Sequence, residues 1–90
     1  MDREALRERL LAVMFPFMER VMEQKQAQLA ARGHAVSQIE FLNAMEAHLP
    51  AAEAQWRRAS SGLDVSEEYV ALRREVYLEI LRRLKMKASN

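Results

Sequence analysis

Apolar residues recur every three or four positions along most of this chain, which is the period of an α-helix. No stretch shows the strict alternation that indicates a strand. The pattern is interrupted near "RGHAVS" and near "SSGLDVS". It therefore predicts one all-α domain over residues 1–90, with helices over about 2–32, 37–61 and 66–87. The short first connection predicts antiparallel packing of the first two helices.

Residues at the interruptions predict how the first two helices begin and end. Gly33 follows the first helix, where a glycine commonly adopts the left-handed conformation that ends a helix. Ser37 and Glu40 form a capping box at the start of the second helix. Gly62 is expected to end that helix.

The start of the third helix has two interpretations. Asp64 with Glu67 has the spacing of a capping box, and Ser66 is an equally suitable N-cap residue. The sequence does not choose between these two starts.

Two prolines interrupt the helical pattern. An interior proline removes a hydrogen bond and costs ~3 kcal/mol, yet Pro16 and Pro50 lie inside the first and second helices. Both lie opposite the apolar face, where solvent can hydrate the carbonyl that is left without a donor. We therefore expect helices 1 and 2 to be continuous and bent at proline. The alternative is a break at His48–Leu49, with Pro50 in the first turn of a new helix.

The first helix carries two neighbouring apolar rows. The Val/Phe row consists of Leu6, Leu10, Val13, Phe17 and Val21. The Met row consists of Leu11, Met14, Met18, Met22 and Leu29, with Phe15 at its edge. Together they cover roughly 200° of the helix, whereas a core-facing stripe needs little more than ~100°. One row is therefore expected to be available to a second chain.

The size of the chain also indicates an elongated molecule or packing against a second copy. A 30-residue helix spans ~45 Å, while a compact chain of this length is only ~25–30 Å across. We expect an elongated three-helix bundle that packs further in a homodimer. The flexible, polarizable methionines favour the Met row as the partner-binding face, with Leu11, Phe15, Met18 and Met22 in contact with the second chain. The alternative is that these methionines fill the core of the monomer.

The expected core takes one row from each helix. Its members are Leu10, Phe17, Val21, Phe41, Met45, Leu49, Trp56, Val76, Ile80 and Leu84.

Arg73 is a charged residue in the middle of the apolar stripe of the third helix. An unpaired buried charge is costly. We expect Arg73 either to extend its stem along the core toward water or to pair with an acid or a carbonyl outside its helix. The second possibility makes it a candidate partner-binding residue.

Composition excludes most chemistry. The chain has no cysteine, which excludes disulfides and thiolate catalysis, and its two histidines are isolated. We find no metal-ligand spacing, no nucleophile–base pattern and no cofactor motif. The sequence therefore predicts a protein that is not an enzyme.

Charge disfavours a nucleic-acid or membrane partner. There are 14 basic and 13 acidic residues, with a pI of about 8.2, whereas nucleic-acid-binding domains usually exceed ~9. The apolar run over residues 10–18 is too short to span a bilayer, and the acidic residues before it argue against a signal peptide. We expect a cytoplasmic interaction module, a regulator, adaptor or chaperone-like subunit. Nucleic-acid binding through the basic C-terminal part of helix 3 is the alternative.

Overall fold

The computed structural model describes residues 2–59 and 66–89. These residues form four helices, α1 (Arg3–Ala31), α2 (Gln38–Ala47), α3 (Leu49–Ala59) and α4 (Glu67–Ala88). The described ranges contain no strand. The all-α prediction is confirmed, with four helices where the sequence predicted three.

Gly33 ends α1 as predicted. Its φ of 81° lies in the left-handed region, which allows two backbone hydrogen bonds to turn back onto the last helical turn. Gly33 N donates to Ala30 O at 3.1 Å, and His34 N donates to Leu29 O at 2.8 Å. This pair of bonds is the Schellman motif, and it leads the chain into the short connection before α2.

Serine hydroxyls begin α2 and α4. Ser37 Oγ accepts a hydrogen bond from Glu40 N at 3.2 Å, and Ser66 Oγ accepts one from Tyr69 N at 3.1 Å. Each bond satisfies one of the backbone donors that a helix N-terminus leaves unpaired. Ser66 is therefore the N-cap of α4. The alternative cap Asp64 and the predicted terminator Gly62 lie outside the described residues.

The prediction of one continuous helix over 37–61 is wrong, because the helix is interrupted at His48, between α2 and α3. Pro50 has no N–H to donate to Glu46, so one bond of the α-helical ladder is missing at this point, and here the helix ends. The His48 N–H donates to the carbonyls of Ala44 and Met45, and Ala52 N donates to His48 O to begin the next helix. The alternative break at His48–Leu49 therefore describes the structure, with Pro50 in the first turn of α3.

Pro16 has a different outcome. α1 runs through it from Arg3 to Ala31, and Pro16 is exposed as expected. The bend at this proline stays a prediction.

The ion pairs between helices show in which direction the helices run relative to one another. Two pairs join α1 to α4 with residue numbers rising together, so these helices are parallel. Two further pairs join α2 and α3 to α4 with residue numbers running in opposite directions, so the α2–α3 arm is antiparallel to α4. The four pairs are Arg3–Glu75, Glu19–Lys87, Glu46–Lys85 and Glu53–Arg74. α4 packs against all three other helices, and no α1–α3 packing occurs within the described residues.

The core is centred on α4. The fully enclosed side chains include Leu42, Val70, Val76, Ile80 and Leu81. The predicted core residues Val76, Ile80 and Leu84 are buried, and Leu10, Phe41, Met45, Leu49 and Trp56 are half-buried against the core cluster. Val21 is half-buried. Phe17 was assigned wrongly, because 61% of it is exposed.

The molecule measures 45 × 28 × 18 Å. The 29 residues of α1 account for ~44 Å of the longest dimension. The expected elongated shape is therefore present in the single chain.

Candidate interaction surface

The structure encloses the Met row. Met14, Met18 and Met22 are 9%, 5% and 4% exposed and belong to the core cluster with α2 and α4. This is the alternative in which methionine fills the core of the monomer. The side chains of Met18 and Met22 are consequently inaccessible to a partner in this fold, which leaves their predicted contact with a second chain without an exposed surface.

Ion pairs with α4 fix the rotation of α1. Arg7 Nε, in line with the Met row, lies 3.3 Å from Glu75 Oε1, and Glu19 Oε2, beside the row, lies 3.1 Å from Lys87 Nζ. Turning α1 to enclose the Val/Phe row would separate both pairs. It would also draw Arg9 toward the core, because this residue stands at the edge of the Val/Phe row.

Leu11 and Phe15, the other two predicted contact residues on α1, have a different environment. Both are half-buried against the core. They also line an open groove between α1 and α4, together with Pro16 and the side chains of Glu8 and Arg83. They are therefore in part accessible from outside, unlike the methionines.

The Val/Phe row supplies the exposed apolar surface of α1. Val13 is 72% exposed and Phe17 61%, while Leu6, Leu10 and Val21 are half-buried. Val13 and Phe17 are four residues apart, so they are neighbours on one helix face. The surplus apolar surface that the sequence predicted on α1 is present, but it lies on the Val/Phe row and not on the Met row that was expected.

Two arginines flank this exposed pair. Arg9 lies one turn before Val13, and Arg20 lies three residues after Phe17. Both are exposed, and neither forms an ion pair with any described residue. The middle of α1 thus presents two apolar side chains between two cations that have no acidic partner in residues 2–59 and 66–89.

Arg73 contacts a residue of another helix, but this residue is aromatic and not the acid or carbonyl that was predicted. Its guanidinium carbon lies 4.7 Å from the centre of the Trp56 ring on α3, a cation–π contact. The Arg73 Nε is buried and makes no hydrogen bond within the described residues. Among the described residues, the partner of Arg73 is therefore an aromatic face where an acid or a carbonyl was expected. Tyr77 supports this arrangement by packing edge-on against Trp56 and donating to the Met45 carbonyl at 2.9 Å.

The basic C-terminal half of α4, the basis of the nucleic-acid alternative, is largely neutralised by acids. Arg82 and Arg83 both donate to Glu79, and together they lower the pKa of that carboxyl to about 2. Lys85 pairs with Glu46 at 3.1 Å. Cations that are already paired with carboxylates contribute less positive charge to the binding of phosphates.

Residues 2–59 and 66–89 contain no cluster of three or more side chains suited to a metal ion. Within the same ranges, no helix combines the length and the apolar character needed to cross a bilayer.

Comparisons with protein-family models, with curated proteins and with solved structures find no match to this chain.

Proposed function

We propose that this protein is a helical protein–protein interaction module, a regulator, adaptor or chaperone-like subunit, and that it docks through the Val/Phe row of α1. The observation that carries the proposal is the exposure of Val13 and Phe17 at 72% and 61%. Exposed adjacent apolar side chains are typical of binding surfaces, and aromatic residues are enriched in interface cores.

Photo-crosslinking tests the location of the surface. A photoreactive amino acid replaces Phe17 on α1, and in a control chain it replaces Leu78, which is exposed on α4. The expected result is a discrete adduct from the Phe17 position alone, in cells that express the protein. An adduct of twice the chain mass would identify the row as the interface of the predicted homodimer.

Reconstitution with the purified, identified partner then decides the proposal. Val13→Glu with Phe17→Glu should weaken binding about tenfold or more, because a few apolar anchors dominate the affinity of an interface. The matched control, Leu78→Glu with Met86→Glu, should leave binding unchanged. All four side chains are exposed, so each variant should keep its far-UV circular dichroism. Equal sensitivity of both variants, or sensitivity of the control alone, would refute the proposal.

A further inference from the structure

We propose that the occupant of the Val/Phe row is an acidic amphipathic helix of another protein, whose two acidic residues bracket two apolar ones. This inference rests on the proposed docking function and adds the chemistry of the partner. The charged residues that flank the row are both basic and have helical spacing, and the row is less suited to an extended peptide or to a second copy of this chain.

The charge of the surface is uniform. From Leu6 to Gln24, the only charged side chains on the face centred between Val13 and Phe17 are Arg9 and Arg20. Eight of the 14 lysines and arginines form ion pairs with other described residues, and these two do not. A partner that covers Val13 and Phe17 must meet both cations, and opposite charge at the rim favours association.

The spacing fits a helix. Arg9, Val13, Phe17 and Arg20 follow one another at intervals of four, four and three residues, which places them on one face. Arg9 and Arg20 are separated by ~16 Å, or about three turns. A helix lying alongside α1 presents the same separation between residues i and i+11, with i+4 and i+7 between them. The complementary pattern is acid, apolar, apolar, acid at those four positions.

An extended peptide fits this surface less well. Recognition of an extended strand uses the unpaired backbone groups of a sheet edge, and the described ranges contain no strand. The face is a convex helix surface whose backbone groups are hydrogen-bonded within α1. Side-chain packing between two helices remains as the mode of recognition.

A second copy of this chain is disfavoured at the row by the same two arginines. In a symmetric antiparallel pair centred between Val13 and Phe17, Arg9 of one copy comes level with Arg20 of the other. In a symmetric parallel pair, each arginine faces its own counterpart. Both arrangements juxtapose like charges. The homodimer predicted from the sequence would therefore need another surface.

Designed peptides test the inference. The probe is a fluorescein-labelled helical peptide of about 20 residues, with leucine at the two apolar positions and glutamate at the two bracketing positions. A matched peptide carries lysine in place of both glutamates, and a third carries alanine in place of both leucines. Binding is measured by fluorescence anisotropy at about 50 mM salt, where surface charges are weakly screened.

We expect the glutamate peptide to bind about tenfold more tightly than either of the other two peptides. In Arg9→Glu with Arg20→Glu, the preference should reverse toward the lysine peptide. A control with the same change in charge, Lys25→Glu with Arg58→Glu, should retain the original preference. All four of these cations are exposed and outside the observed ion pairs.

Each other outcome overturns the inference in a distinguishable way. Equal binding of the glutamate and lysine peptides would show apolar docking without charge selection, which leaves the proposed function intact. Absence of binding by any peptide up to about 1 mM would refute the acidic helix as occupant. Arginine-dependent binding of a single-stranded oligonucleotide tighter than that of the glutamate peptide would assign the row to nucleic acid. Failure of the proposed function itself appears separately, as insensitivity of the reconstituted complex to Val13→Glu with Phe17→Glu.

Discussion

Adjacent residues of α1 allow a direct test of which apolar row holds the fold together. Met18 is 5% exposed and Phe17 is 61% exposed. Met18→Ala should lower the free energy of unfolding by about 3 kcal/mol, within the ~2–5 kcal/mol range for buried methionine truncations, because it removes buried contacts and leaves a cavity. This is a large part of the ~5–13 kcal/mol expected for a chain of 90 residues.

Phe17→Ala should cost far less, although phenylalanine is the larger side chain. About two fifths of its surface is buried, which corresponds to a loss of about 1 kcal/mol. The better helix propensity of alanine recovers about 0.5 kcal/mol of it. The net change should be about 0.5 kcal/mol, and Val13→Ala, also at an exposed position, should be similarly mild.

Urea denaturation followed by far-UV circular dichroism measures these differences, with the dependence on urea compared among all variants. The reasoning fails if Phe17→Ala is as destabilising as Met18→Ala. That result would mean that the Val/Phe row is enclosed as well as the Met row, which would remove the exposed apolar surface on which the proposed function rests.

Three further predictions concern charge, backbone and the aromatic contact. Arg82 and Arg83 hold the pKa of Glu79 at about 2, below its ordinary 4.5, so its contribution to stability is present above pH 4.5 and is lost as the pH falls through 2. Urea denaturation between neutral pH and pH 2 should show the full deficit of Glu79→Gln at neutral pH and a much smaller one at pH 2. Gly33→Ala should lower the free energy of unfolding by about 1 kcal/mol through its positive φ alone, since no atom lies within 4 Å of the added Cβ; thermal denaturation checks this, and an unchanged melting temperature would contradict it. Arg73→Met should change stability in urea by less than about 1.5 kcal/mol, because methionine also packs on the Trp56 ring, and a loss above ~3 kcal/mol would show that the guanidinium has a larger role.

Helix ends were predictable because their chemistry is local. The Ser37 cap depends on a donor three residues away, and the left-handed Gly33 depends on the last turn of α1. Neither needs any knowledge of the rest of the fold. The break at His48 was harder to predict, because the apolar stripe continues across it and α2 and α3 both pack on α4.

The rotation of α1 was not predictable from hydrophobicity, since both of its rows are apolar. The distinguishing signal was charge. Between residues 10 and 22 the Met row has no charged neighbour on its own face, whereas Arg9 and Arg20 lie beside Val13 and Phe17. The partner residues of the ion pairs that fix the rotation, Glu75 and Lys87, lie 68 or more positions away in the chain.

The central position of α4 has a consequence for how the chain reaches its fold. α4 is the last of the four helices to be synthesised, yet it packs against each of the others, and its ion pairs with α1 join residues 68 to 72 positions apart. Such non-local closure slows folding relative to bundles built from local contacts. In a nascent chain that ends before α4, the methionines of α1 that α4 buries in the folded protein remain partly exposed. We therefore expect α1 to α3 to remain a substrate for chaperones on the ribosome until α4 has emerged.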